Sequence, residues 1–191
     1  MEETQPIAPI KKEKKNKMAK TAGTMFRNTM ANHLQASALA DRKASLMVSI
    51  NTLIISIITS FLVHDYSSSQ QFLVPACLLV VVCLSSITFA ILATRPNVNP
   101  LHKNPNPDEI GKVDLLFFGD YTQLTMDDYK SAMKGAISND AILQVKMIEN
   151  IYAQGKVLVK KYRRLKIAYS IFMYGFPLAI ISFFYFIFVN R

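Results

Sequence analysis

"ASLMVSINTLIISIITSFLV", Ala44 to Val63, holds no formal charge and only small polar interruptions. Roughly 20 helical residues at about 1.5 Å each cover the hydrocarbon core of a bilayer, so this stretch has the length and composition of a membrane span. Two more windows pass the same test. Phe72 to Thr94 is closed by Arg95 and Pro96; Ile167 to Asn190 contains Gly175 and Pro177. Gly and Pro inside a span are tolerated where neighbouring helices support the freed backbone groups. The late aromatic residues of the third window, Phe183 to Phe188, suit a belt at the membrane interface.

The flanks orient these spans. The chain is 51% hydrophobic yet carries a formal net charge of +9, which requires apolar residues and charges to lie in separate blocks. Residues 1–43 hold nine Lys or Arg and residues 95–166 hold twelve, whereas "HDYSSSQQ", His64 to Gln71, holds none. By the positive-inside rule both basic segments are cytoplasmic, the short loop is outside, and so is the C-terminus. A basic surplus crowded beside spans faces anionic headgroups rather than nucleic acid. No early apolar segment resembles a cleaved leader, so the first span is expected to remain as an anchor. Cys77 and Cys83 stand six apart in an apolar run, a spacing that suits packing and gives neither a metal site nor a disulfide.

Within the first span Ser45, Ser49, Thr52 and Ser56 follow one another at helical steps, with Asn51 beside them. Such a stripe lets helices approach closely, either against spans two and three or as an oligomer seam or pore lining. Asn51 needs a partner in hydrocarbon. Asp41, Arg42 and Lys43 fall where the helix leaves the membrane, and their charges can snorkel to headgroups.

Outside the membrane, residues 1–16 read as a disordered basic tail and residues 17–43 as a cytosolic amphipathic helix. His33 lies on its apolar stripe, as a packed or hydrogen-bonded residue. Residues 95–166 form a cytosolic helical region that begins with the Pro- and Asn-rich linker "RPNVNPLHKNPNP". Thr125 opens a short helix ending near Ile137, "SND" restarts the chain, and helical spacing from Ile148 to Tyr169 runs straight into the third span. The fold class is therefore an all-α membrane protein with spans at 44–63, 72–94 and 167–190. Two of the spans extend into the cytosol as a helical stalk carrying a small helical insert.

That insert contains "DLLFFGDYTQL", Asp114 to Leu124, an acidic and aromatic knot. One reading is packing: Leu115, Leu116, Phe117 and Phe118 plug the paired stalk helices, Gly119 allows a tight turn, and Asp120 caps or pairs with a base. The other is a ligand site, in which aromatic rings stack on a nucleobase and "KKYRR", Lys160 to Arg164, holds a phosphate. The sequence has no P-loop, no GxGxxG and no zinc-ligand cluster, and the isolated His64-Asp65 pair makes no hydrolase site. The expectation is a protein that is not an enzyme and has no metal or resident cofactor.

"TMFRNTMANHLQASALADRKASLMVSINTLIISI", "DLLFFGDYTQLTMDDYKSAM" and "MIENIYAQGKVLVKKYRRLKIAYSIFMYG", in that order, closely resemble the membrane effector family of Pycsar. Pycsar is a bacterial anti-phage system in which a pyrimidine cyclase makes cyclic UMP or cyclic CMP. The likeness runs from Thr21 to Gly175. It implies a multi-pass protein of the bacterial inner membrane, with its N-terminus in the cytoplasm. Phage infection triggers the partner cyclase, the cyclic nucleotide binds the cytosolic part, and the membrane part impairs the bilayer, killing the cell in an abortive infection. The expected partners are membrane lipids, the cyclic pyrimidine nucleotide and further copies of the chain. The expected ligand contacts are Phe117, Phe118, Asp120, Tyr121, Arg163 and Arg164. The competing expectation is a constitutive oligomeric membrane scaffold whose stalk docks a protein partner.

Overall fold

The computed structural model describes residues 7–64, 72–96 and 105–189, and among them it is helical with no strand. Helix α1 spans Ile7–His64 and α2 spans Leu73–Thr94. A 3-10 turn at Pro107–Lys112 leads to the short α3, Phe118–Tyr121, then α4, Met126–Ser138, and finally α5, Asp140–Val189. Three of these, α1, α2 and α5, are long and apolar enough to cross a membrane. The protein is a membrane protein. Helix α1 begins at Ile7, inside the segment read from sequence as a disordered tail. The linker residues 97–104 and most of the outer loop lie outside the described residues.

The chain divides into two compact units. One comprises Ala36–Asn97 and Val157–Arg191, the other Met1–Gln35 and Val98–Lys156. In the first, the interior is mostly small residues, alanine above all, with a few larger apolar ones. Ala40, Ala44, Met47, Ala90, Ala93, Leu165 and Ala168 form one buried cluster, and Leu79, Cys83 and Ala179 another. Large apolar side chains point outward instead: Leu46, Leu53, Ile57, Val81, Leu84, Ile181 and Phe184 are all exposed. This inside-out distribution is the one expected where the surroundings are lipid and helix contact depends on close fit rather than on expulsion of water. Helices α2 and α5 approach closely at Gly175, where a Cβ would lie 2.7 Å from both γ-methyls of Val82. Helix α5 runs through the neighbouring Pro177 without a break.

Some polar groups inside this unit find partners on other helices. Ser86 Oγ donates to the Ala168 carbonyl at 3.1 Å. Lys161 Nζ reaches Asp41 at 2.7 Å and Ser37 Oγ at 2.9 Å, so Asp41 is engaged in an interhelical ion pair and not merely snorkelling. Asn51 is fully buried; its Nδ2 donates to Met47 O of its own helix at 2.7 Å, and its Oδ1 has no partner. Ser45, Ser49, Thr52 and Ser56 lie on an exposed face of this single chain. The reason is register: the inward stripe runs through Ala40, Ala44, Met47 and Asn51, and the hydroxyls fall beside it. Ser56 satisfies its own hydroxyl on Thr52 O at 3.0 Å.

Candidate functional site

The other unit is built the opposite way, around buried polar residues. Helix α4 starts at Thr125, whose Oγ1 accepts from Asp128 N at 3.2 Å, and Asn139 Oδ1 accepts from Ala141 N at 3.0 Å as α5 begins. Two side chains one turn apart on α5 hold the segment before α3. Lys146, itself buried, donates to the carbonyls of Gly111 at 2.7 Å and Val113 at 3.2 Å and pairs with Glu149 at 3.3 Å. Asn150 Nδ2 donates to Asp114 Oδ2 at 2.9 Å, while Asp114 Oδ1 accepts from Leu116 N at 2.9 Å. Val113, Asp114 and Leu115 are buried as a result.

The aromatic knot therefore plugs less than its composition promised. Leu115 is buried, but Leu116 and Phe118 are 43% and 53% exposed. Gly119 sits in a helical turn and not in the tight turn expected. A Cβ there would come within 2.5 Å of the Phe117 ring, so its role is to leave room for that ring. Phe117 and Phe118 have ring centroids 5.0 Å apart, and Tyr121 lies at the same separation from Tyr129. Asp120 is buried.

Beside this segment lies a cavity of about 740 Å³. Pockets that enclose small ligands run from about 300 to 1,000 Å³. Helix α1 contributes Lys20, Thr24 and Arg27, two of them cationic and seven residues apart on one face, together with Gly23, at which a Cβ would meet nothing. Phe26, Met30, Leu116 and Met147 supply apolar wall, and α5 contributes Asn150. Among the described residues no acidic side chain lines it. Asn150 is 1% exposed and its Oδ1 accepts no hydrogen bond, a deficit worth about 1–3 kcal/mol in a buried acceptor. Its orientation is fixed, because the atom facing a carboxylate oxygen must be the donor nitrogen.

Of the ligand contacts expected from sequence, Phe117, Phe118, Asp120 and Tyr121 stand in this unit but do not line the cavity. Arg163 and Arg164 belong to the other unit, where Arg164 Nη1 donates to Leu92 O at 2.8 Å and satisfies a terminal carbonyl of α2. Lys20, Arg27 and Asn150 escaped the sequence reading. No sequence signal singles them out: Lys146 and Asn150 are polar residues four apart, and the apolar side chains beside them that suggest an inward stripe, Val145, Ile148 and Tyr152, are exposed. His33 Nδ1 is buried without a partner, so this histidine is packed but not hydrogen-bonded through that atom.

A family model described as the Pycsar effector protein domain matches residues 25–188. The chain belongs to that family. No curated protein and no solved structure matches it. As a Pycsar effector protein, it is a membrane effector of an anti-phage system. Among the described residues no group of three or more His, Cys, Asp or Glu is placed to hold a metal ion.

Proposed function

We propose that this Pycsar effector is activated by a cyclic pyrimidine nucleotide, cyclic UMP or cyclic CMP, and then impairs the membrane that holds it. The observation that carries the reading is the match over residues 25–188 to an effector domain in a chain with three membrane-length helices. The charge distribution supports an inner-membrane placement with the basic segments, and hence the cavity, on the cytoplasmic side. Helices α1 and α5 are each continuous from the polar unit into the apolar one. A ligand that binds one arrangement of these helices better than another shifts the population toward it. Turning a mostly closed ensemble into a mostly open one requires about 5.5 kcal/mol of differential affinity. The exposed hydroxyl stripe Ser45, Ser49, Thr52 and Ser56 is the surface along which copies of the chain would meet, as a seam or a pore wall.

The test is dye release from liposomes containing the purified protein. Release on addition of cyclic UMP or cyclic CMP, and not of cyclic AMP, is the expected result. A second reading, a constitutive scaffold, draws support from the exposed apolar side chains Val145, Ile148 and Tyr152 on the polar unit's part of α5. Folded protein that stays silent with every nucleotide, yet captures a protein partner through that face, would establish it instead.

A further inference from the structure

Within the apolar unit, α1 and α5 meet through two kinds of contact. One is the buried cluster that includes Ala40, Ala44, Met47, Leu165 and Ala168, whose side chains fit by shape and give the helices no directional hold. The other is polar and lies where both helices enter this unit, at residues 36–43 and 161–169. Lys161 Nζ meets Asp41 Oδ1 at 2.7 Å and donates to Ser37 Oγ at 2.9 Å. Beside it, Tyr162 donates to Ala36 O at 3.0 Å and Tyr169 to Lys43 O at 3.5 Å. Lys161 is central. Its side chain is only 14% exposed, so its charge is largely out of water and depends on Asp41. Asp41 Oδ1 is itself buried, and the two meet as charges, off the hydrogen-bond direction.

We propose that Lys161, Asp41 and Ser37 form an autoinhibitory clasp, which holds α1 against α5 and must open before the protein impairs the membrane. The proposal rests on the reading that membrane impairment is what this effector does. The arrangement that the clasp holds is filled inside: Cys83, Ala90, Ala168 and Ala179 have no exposed surface. Ser37 and Asp41 stand one turn apart on α1, and the ammonium bridges them. A lysine stem can follow a shift of an ångström or two. It cannot follow a one-turn step of about 5.4 Å between the helices, which would strand the cation. The clasp also stands at the point where a rearrangement passed along α1 and α5 enters the spans. A ligand that favours another arrangement of these helices therefore works against it, and a weaker clasp needs less ligand.

Dye release from liposomes holding the full chain tests this, first without nucleotide and then with rising cyclic UMP or cyclic CMP. Asp41→Asn keeps the shape of the carboxylate and removes its charge. Lys161→Met keeps most of the stem and removes the ammonium. Each is expected to raise release without nucleotide about tenfold, and to lower the nucleotide concentration for half-maximal release by a similar factor. The exchanged pair D41K/K161D again sets opposite charges face to face, and it should return both readings most of the way to native. A purely structural role would lower the melting temperature of the single variants and leave their nucleotide requirement where it was.

The outcomes separate two failures. If nucleotide triggers release from the native protein, while D41N and K161M stay sealed without it and need as much of it, the clasp is overturned and the functional reading stands. Equal leakage from the single variants and the exchanged pair also overturns it, because opposite charge is then not what holds the helices. If D41N and K161M leak, the exchanged pair does not, and the native protein ignores both nucleotides, the clasp stands and the ligand reading falls. If no variant releases dye under any condition, membrane impairment falls and the clasp with it.

Discussion

The two units bury opposite things. The apolar unit hides mostly alanines, together with Met47, Leu79, Leu165, Ser86 and Asn51, and shows many of its leucines, isoleucines and phenylalanines outward. The polar unit hides Asp114, Lys146 and Asn150 and binds its connecting segment with their hydrogen bonds. In lipid there is little to gain by burying a leucine, so steric fit decides the contact. In the polar unit the segment at 113–116 is held both by burial of Val113 and Leu115 and by the side chains of Lys146 and Asn150, since a buried donor or acceptor left unpaired costs about 1–3 kcal/mol.

The sharpest way to break that comparison is Asp114→Ala. It strands Asn150 Nδ2 and Leu116 N together, and we expect a loss of about 2–4 kcal/mol, read as faster hydrogen exchange at residues 113–116. Unchanged protection there would mean that the polar unit is held by packing after all. Next comes Gly175→Ala, which sets a methyl 2.7 Å from Val82 and is expected to cost about 1–3 kcal/mol in detergent-solubilised thermal unfolding. Combining it with Val82→Ala should recover part of the loss; no recovery would place the strain elsewhere. Ser86→Ala removes an interhelical hydrogen bond yet should cost only about 0.6 kcal/mol, since such bonds are modest in membranes. The smallest effect belongs to alanine at Ser45, Ser49 and Ser56 together, which should leave the melting temperature of the single chain unmoved. A change in cross-linked oligomer size in that variant would assign the stripe to a contact between copies.

The architecture was legible because length, apolarity and charge blocks are one-dimensional signals. The three spans, the helix opened by Thr125 and the restart at Asn139 all follow from them. Register was legible only where residue size changed with it. Along α1 both the Ser45–Ser56 stripe and the Ala40–Asn51 stripe are small and slightly polar, and nothing in the sequence ranks one as inward. The candidate site was the least readable part. Aromatic rings and basic runs commonly bind nucleotides, which is why Phe117, Phe118 and "KKYRR" stand out in the sequence. Yet Lys161 is spent on Asp41 and Arg164 on Leu92. The cavity cations come from a stretch that reads as ordinary helix, and Asn150 is distinguished only by an oxygen left over after its nitrogen is used.

The contacts joining α1 to α5 carry a consequence for how the protein is made. Lys161 meets Ser37 across 124 residues of chain, and Tyr162 donates to Ala36 across 126. At about 5–20 residues per second of synthesis, α1 waits on the order of 6–25 s in the bilayer before its partner leaves the ribosome. During that interval the amide nitrogen of Asn51 has only the Met47 carbonyl of its own helix, and this is the bond it still keeps in the finished fold. The first span thus carries within its own helix the partner for the Asn51 amide nitrogen.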